Sequence, residues 1–267
     1  MTEIETVCCR ARAVLRDGPS AILTDVDGTI SGIAPRPEDA WVAPAVRDSL
    51  ERLAKSLALV AVITARAEET ARRMVGAPGL TYVGHYGLDS QAASLMEAAP
   101  LEKYKARALA LTEAIPCVTF EDKGVSFSLH YRKCPDPEAT RRQLLELLTP
   151  IAAEAGAQLL EGKRVVEMAP GALPSKRSAV INLARGHALR GLVYLGDDIS
   201  DVGVFEEIAR RRADEGLAGL AIAVVDAETD DSVRRAADLT LEGVEAVDQF
   251  FARLADALDS PEEVENA

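Results

Sequence analysis

Asp25 and Asp27 lie two residues apart in Asp25-Val26-Asp27-Gly28-Thr29, directly after the apolar run Ala21-Ile22-Leu23-Thr24. Side chains alternate along a strand, so this spacing sends both carboxylates the same way. In open α/β sheets the reactive crevice lies outside the carboxyl ends of the strands, where one carboxylate can attack an electrophile and the other can move a proton. Taken alone, the pair also reads as a turn, since Asp-Gly is a common turn dipeptide.

A second acidic group, Gly196-Asp197-Asp198-Ile199-Ser200-Asp201, again follows an apolar run, Leu192-Val193-Tyr194-Leu195. Helix capping by Ser200 or Asp198 is its plain reading. If the two runs are neighbouring strands, five carboxylates meet at one sheet edge, and like charges that close raise one another's pKa unless a cation neutralises them. A hard, oxygen-seeking Mg²⁺ suits that role and keeps a position for a phosphate oxygen.

The elements that must position these groups follow from hydrophobic spacing. Residues 44–57 carry Val46, Leu50, Leu53, Ala54 and Leu57 on one helical stripe. Residues 57–63 are continuously apolar, as in a parallel strand covered on both faces, and end at Thr64-Ala65-Arg66 before a helix through Met74. The same alternation returns late in the chain, with 176–184 helical, 192–195 a strand, 200–212 helical and 220–225 a strand. It predicts an α/β fold with a doubly wound, mostly parallel, Rossmann-like core. Between the two stretches, residues 125–131 and, more weakly, 165–168 alternate with period two, and helical segments at 101–114 and 137–155 precede them. Half-exposed antiparallel strands are expected there. The predicted organisation is a core of residues 1–95 and 172–267 with a small α+β cap at 96–171. Hinges are expected near 90–98 and 169–173, where Ala98, Ala99, Pro100, Pro170 and Gly171 suit joints, and the tail from 260 to 267 is expected to fray.

Forty-three acidic against thirty basic side chains give a net charge of −13 over 267 residues. That balance disfavours nucleic acid and anionic membrane surfaces as partners. Cys8, Cys9, Cys117 and Cys134 have neither metal-ligand spacing nor the density of a disulfide scaffold, so reduced thiols are expected. The first residues lack a basic leader and no apolar stretch reaches bilayer length. A soluble, cytoplasmic protein, monomeric or weakly oligomeric, is the expectation.

Together with Thr64 and Lys176, the two acidic groups resemble the four ordered motifs of the haloacid dehalogenase superfamily of phosphatases. In chemical terms, Asp25 would attack phosphorus to form an aspartyl-phosphate, and Asp27 would protonate the leaving oxygen and then activate water. Thr64 and Lys176 would hold the phosphoryl oxygens, the lysine also offsetting the charge of Asp25. Mg²⁺ would be held by the Asp25 carboxylate, the Asp27 backbone carbonyl and the Asp197 side chain, with Asp198 and Asp201 one step further out, orienting metal waters or Lys176.

Within that superfamily, Thr64-Ala65-Arg66, Gly84-His85-Tyr86-Gly87, Glu121-Asp122-Lys123-Gly124, Leu129-His130-Tyr131-Arg132 and Val166-Glu167 resemble the trehalose-6-phosphate phosphatases over nearly the whole chain. The resemblance implies that Glu121, Lys123 and Glu167 hydrogen-bond sugar hydroxyls, that Arg66, His130 and Arg132 line the closed site or its approach, and that His85 is a further substrate-binding candidate. Such short-range polar contacts are what a sugar, uncharged away from its phosphate, offers for recognition. Without the resemblance, Glu121 to Lys123 read as a solvated hairpin approach, His85 and His130 as structural histidines, and Arg132-Lys133 as a charged strand end. The chain departs from the pattern at Ser200 and Val202, where Thr and Glu are usual, at Gly84-His85-Tyr86-Gly87, which lacks the usual Asn before a His-Gly pair, and at Arg177, where Gly is common. A phosphatase of another sugar phosphate (sucrose 6-phosphate, a glycosyl-phosphoglycerate or a hexose phosphate) stays open, as does a sugar-phosphate sensor without catalysis. The presence of Asp25, Asp27, Lys176 and Asp197 together speaks against the sensor.

Overall fold

Every residue of β1 (Ser20–Thr24) is buried, as the unbroken apolar run requires of a strand covered on both faces. The computed structural model describes residues 2–34, 36–87, 99–124, 126–170 and 175–259. Numbered along the chain, β1 is flanked on one side by β2 (Leu59–Ile63) and β3 (Thr81–Val83). On the other side lie β8 (Gly191–Gly196), β9 (Ala218–Val225) and β10 (Leu239–Glu242), giving a parallel sheet of order β10-β9-β8-β1-β2-β3. The strand order reverses between β1 and β8, the switch point at which such sheets leave a crevice beyond the strand ends. Thr24 pairs with Leu195 in register, and the Asp25 N–H donates to the Leu195 carbonyl at 3.0 Å. The residues that follow β1 and β8 therefore emerge side by side.

Alternation along β1 feeds two cores. Ile22 joins Val60, Val62, Val193 and Leu195 under α1 (Glu3–Leu15), α2 (Pro44–Ser56) and α9 (Gly243–Asp259), which contribute Val7, Leu50, Leu53, Phe250 and Phe251. Ala21 and Leu23 join Ala61, Ile63 and Tyr194 under α6 (Lys176–Gly186), α7 (Ile199–Asp214) and α8 (Asp231–Ala236), through Val180, Phe205, Ile208 and Val233. Helix α3 (Glu68–Val75) adds Ala71 and Val75 to the first cluster. These elements belong to a compact unit made of Met1–Gly84 and Lys176–Ala267.

The second unit, His85–Ser175, holds an antiparallel sheet. Its strands are β4 (Thr119–Asp122), β5 (Phe127–His130), β6 (Ala157–Gly162) and β7 (Val165–Pro170), in the order β4-β5-β7-β6. Phe127, Leu129, Val166 and Met168 project to the buried side, where α4 (Ala99–Ala114) supplies Tyr104 and Ala108 and α5 (Pro137–Ala155) supplies Leu144, Leu148 and Ile151.

Several elements lie outside the sequence reading. β3 and β10 are too short to carry a period, and β6 is half-buried at every position, so its sequence does not alternate. β4 places Glu121 and Asp122 within a strand rather than an approach to one. Helix α1 carries a legible signal, the capping box Thr2-x-x-Glu5, with Glu5 N–H to Thr2 Oγ1 at 3.3 Å and Thr2 N–H to Glu5 Oε2 at 2.8 Å. The apolar run at 57–63 begins as the cap of α2, since the Leu57 N–H donates to the Leu53 carbonyl. Of the expected hinge positions, Ala99 and Pro100 start α4 and Pro170 ends β7, while Ala98 and Gly171 lie outside the described residues, as does the 260–267 tail.

The expectation of reduced thiols is corrected at one pair. Cys117 and Cys134 are joined in a disulfide spanning 17 residues, and Cys8 and Cys9 are free. Linear spacing hides this pairing because β4 and β5 pair from Thr119–His130 inward, which brings the flanking cysteines to a Cα separation of 5.0 Å. Among the described residues, no helix is long and apolar enough to cross a membrane.

Candidate active site

After β1 the chain folds tightly back on itself. The N–H groups of Thr29, Ile30 and Ser31 all converge on the Val26 carbonyl, at 2.9 to 3.2 Å, and Gly28 N–H reaches the Ser31 carbonyl at 2.7 Å. Gly28 has φ +83, and a Cβ built on it would fall 2.0 Å from Asp197 Oδ2. Glycine is required there on two counts, backbone hand and space for the carboxylate arriving from β8. Thr29 Oγ1 donates to the other Asp197 oxygen at 3.0 Å.

Lys176 opens α6 and is 3% exposed. Its ammonium donates to Asp25 Oδ2 at 2.7 Å and to Asp201 Oδ1 at 2.8 Å. Asp25, Asp197 and Asp201 are all buried, and each offers an oxygen within 4.8 Å of the others, a grouping that can hold a metal ion. Of the five carboxylates in the two acidic runs, three gather here. Asp198 instead caps α7, its carboxylate accepting from Ile199 N–H at 2.8 Å, and burial pushes its carboxyl up to about 6. Asp27 is gripped by Arg66, with Nε to Oδ2 at 2.6 Å and an Nη to Oδ1 at 2.7 Å, while another Arg66 nitrogen donates to the Pro37 carbonyl at 3.0 Å. Thr64 ends β2 at 1% exposure, and its hydroxyl accepts from Arg66 N–H at 3.2 Å.

The charge balance tests whether a cation fits. One buried lysine faces three buried carboxylates. Burial pushes the Asp25 carboxyl up to about 8; Lys176 opposes the rise, and the charges of Asp201 and Asp197 add to it. Lys176, between two carboxylates, is held well above the ordinary ammonium range although its burial alone opposes this. The site is thus short of positive charge, and its donors are all oxygens, which suits a hard divalent cation. Asp201 is the least available donor. Its Oδ1 accepts from Lys176 and from the Tyr194 hydroxyl, and its Oδ2 accepts from the N–H groups of Asp197 and Asp198 at 3.1 Å each.

In the His85–Ser175 unit, register explains which candidates share a face. Glu121 pairs with Ser128 and Ser128 with Glu167 across three strands, and His130 lies two residues along β5 from Ser128. All stand opposite the buried Phe127 and Leu129 side. Glu167 is 5% exposed and accepts from Lys123 at 2.8 Å, Ser126 at 2.6 Å, Ser128 at 3.4 Å and the Tyr86 hydroxyl at 3.5 Å. His130 Nε2 lies 2.8 Å from Glu121 Oε2. Burial, with the nearby Lys123 charge, lowers the pKa of His85, and both His85 and Tyr86 hold positive φ, 47 and 59. Arg132 donates to the Lys163 carbonyl at 3.1 Å. Ser126, Ser128, Tyr86, Thr29 and Tyr194 lie in segments that the sequence reading marks, but it gives them no role of their own. The period-two pattern of β5 could have marked Ser128, since a small polar residue there shares the face of His130.

Gly84 departs from the family pattern in its surroundings, yet it has a structural reason of its own. A Cβ there would meet the Glu68 backbone nitrogen at 2.2 Å, where the chain leaving β3 passes the start of α3.

A doubly wound parallel core with carboxylates at the β1–β8 switch point, and a separate antiparallel sheet inserted in the chain, is a fold also found in a structure described as a haloacid dehalogenase-like hydrolase. A structure so described from Bacteroides thetaiotaomicron superposes with a TM-score of 0.58, at 11% identity over 89% of this chain and 100% of that one. The chain belongs to the trehalose-phosphatase family, whose model matches residues 23–245. A relative in Sinorhizobium fredii, named a probable trehalose-phosphate phosphatase, is 30% identical over 212 residues, 76% of this chain and 77% of that protein. Other relatives named trehalose-phosphate phosphatase, 29% identical over 253 residues, are longer, and the chain spans 61% of their length. Enzymes so named are phosphoric monoester hydrolases. The C-terminal domain of Candida albicans trehalose-6-phosphate phosphatase shares the fold, with a TM-score of 0.80 at 20% identity over 96% of this chain and 98% of that one.

Proposed function

We propose that this protein is a Mg²⁺-dependent phosphatase that hydrolyses trehalose 6-phosphate to trehalose and inorganic phosphate through an aspartyl-phosphate on Asp25. The observation that carries the reading is the buried contact of Lys176 with Asp25, at 2.7 Å, beside Asp197 and at the switch point of the sheet. Membership of the trehalose-phosphatase family supports the substrate.

Asp25 attacks phosphorus, splitting hydrolysis into two easier steps. Lys176 holds that carboxylate and a phosphoryl oxygen, countering charge that grows in the transition state, and Thr64 supplies a second contact to the phosphoryl group. Asp27 protonates the departing sugar oxygen and then takes a proton from the water that cleaves the acyl-phosphate. Arg66, which grips both Asp27 oxygens, orients the ionised carboxylate for the step in which it takes that proton from water. Mg²⁺ would be held by the carboxylates of Asp25 and Asp197 and the backbone carbonyl of Asp27, supplying charge neutralisation and a Lewis acid for the phosphoryl group. Lys123, anchored by Glu167, together with Glu121, His130, Arg132 and His85, recognises the sugar, and the 96–171 segment acts as the cap that selects it. The same reading puts the enzyme in the cytoplasm, as a monomer or weak oligomer acting on a small-molecule sugar phosphate.

The test is phosphate release by the purified protein from trehalose 6-phosphate, sucrose 6-phosphate, a glucosyl-phosphoglycerate and glucose 6-phosphate, with and without Mg²⁺. Trehalose 6-phosphate is expected to dominate, activity to vanish with a chelator and return with Mg²⁺, and Asp25→Asn to lower kcat about a thousandfold or more. Comparable turnover across the panel would remove the substrate assignment, and full activity in Asp25→Asn would remove the nucleophile.

A further inference from the structure

Tyr194 stands on β8, two residues before Gly196, and is fully buried. Its ring does what any aromatic would do in the second core cluster, packing edge-on to Phe205 with centroids 6.0 Å apart. A phenylalanine would do as much, so the hydroxyl needs a separate account. It donates to Asp201 Oδ1 at 2.6 Å, the same oxygen that accepts from Lys176 at 2.8 Å. On the other oxygen, Asp201 receives the Asp197 and Asp198 N–H groups. A carboxylate has about four lone-pair sites, and all four of these are taken by groups that belong to the site.

We infer that Tyr194 is a positioning residue for phosphoryl transfer: by fixing the Asp201 carboxylate it sets where the Lys176 ammonium stands against Asp25 and where the Asp197–Asp198 peptide lies. The torsion that turns a carboxylate is soft, and the two N–H groups hold only one of its oxygens. The phenol supplies the hold on the other that Lys176 cannot supply, because Lys176 is itself the group being placed. Burial, together with the Asp201 charge, keeps the phenol's pKa well above its ordinary value, so the donor stays protonated throughout the working range. Nothing in the chemistry of the transfer calls on Tyr194 directly; its action passes through Asp201 and Lys176. The inference rests on the phosphatase reading, and its test separates the two.

Steady-state rates for wild type, Tyr194→Phe, Asp201→Asn and the double variant would be measured on trehalose 6-phosphate and on p-nitrophenyl phosphate, well below each variant's melting temperature. Tyr194→Phe is expected to lower kcat about tenfold with KM held within about twofold, since a displaced lysine weakens the transition state more than the bound substrate. Asp201→Asn is expected to cost more, and the double variant no more than Asp201→Asn alone, because the tyrosine has nothing left to act through. A kcat within about twofold of wild type, or effects that multiply in the double variant, would overturn the inference. A crystal structure of Tyr194→Phe gives a readout independent of turnover: the Lys176–Asp25 contact is expected to lengthen, and an unchanged 2.7 Å contact overturns the inference. Should wild type turn over p-nitrophenyl phosphate but not trehalose 6-phosphate, the substrate reading falls and the comparison stands on the artificial substrate. Should it turn over neither, the phosphatase reading falls, and the crystal structure alone decides the placement of Lys176.

Discussion

Arg66 and Asp27 show how much a residue's partner changes its meaning. The resemblance makes Arg66 a residue lining the closed site or its approach, and in the structure its fork takes both oxygens of the proposed acid, at 2.6 and 2.7 Å, and is braced on the Pro37 carbonyl. A planar guanidinium can bind a carboxylate through two parallel N–H bonds; an ammonium meets it as a point charge. Arg66→Ala and Arg66→Lys are therefore both expected to lower kcat about tenfold or more, the lysine failing although it keeps the charge. If Arg66→Lys retained wild-type kcat in a steady-state assay, charge alone would suffice and the positioning role would be wrong. The carboxylates themselves were legible because two acidic groups each follow an apolar strand and, with Thr64 and Lys176, stand in the order of a known set of motifs; either group alone reads equally well as a turn or a helix cap. Their division of labour was not: Asp198 is drawn to the neighbouring Ile199 N–H as a helix cap, and Asp201 is claimed at once by nearby backbone N–H groups, by Tyr194 and by Lys176 from another helix, a competition that the spacing of the carboxylates does not reveal.

At the scale of elements, the strands that bring Asp25 beside Asp197 could be read from apolar runs, because a parallel strand covered on both faces leaves an unmistakable pattern. Helix-to-helix placement could not, and the contact of α6 with α7 is the case in point. Arg177, standing where glycine is common in the family, donates to Glu207 at 2.8 Å, and the Arg210 and Arg211 side chains of α7 converge on the same carboxylate. Glu207 is only 2% exposed, and this arrangement ties the start of the helix that carries Lys176 to the helix that carries Asp201. Arg210 foremost, then Arg211 and Arg177, pull the Glu207 carboxyl down to about 2 against the opposing effect of burial. A carboxyl lowered on folding contributes stability that is present above its unfolded pKa near 4.5 and is lost as pH falls toward 2. With Arg177 and Arg210 close to half exposed, solvent screening brings that contribution to on the order of 2 kcal/mol. Glu207→Gln is expected to be less stable than wild type at pH 7 and to lose less between pH 5 and pH 3, as urea unfolding at each pH would measure. Parallel pH slopes for the two proteins would show that the triple arginine contact holds nothing.

On the scale of the whole molecule, the chain folds as two units with separate apolar clusters, so a change confined to one should register there first. The disulfide is such a feature. Cys117 and Cys134 bracket β4 and β5, the strands that carry Glu121, Ser128 and His130, and both lie in the His85–Ser175 unit. Closing a loop of this length removes freedom from the unfolded chain worth about 3 kcal/mol in the chain-entropy account. A reducing environment works against the bond, and in one the small antiparallel sheet would depend on Leu129, Leu144, Leu148 and Val166 for its cohesion. Replacing both cysteines by serine is expected to speed hydrogen exchange in β4 and β5 while leaving β1 and β8 as protected as in the wild type, followed by mass spectrometry. Because Asp25, the proposed nucleophile, Lys176 and the metal-competent carboxylates all belong to the other unit, turnover of p-nitrophenyl phosphate is expected to survive the change, and KM for the sugar phosphate to rise. Loss of protection in β1 and β8 to the same degree would mean that the two cores unfold together and that the bond holds the entire chain.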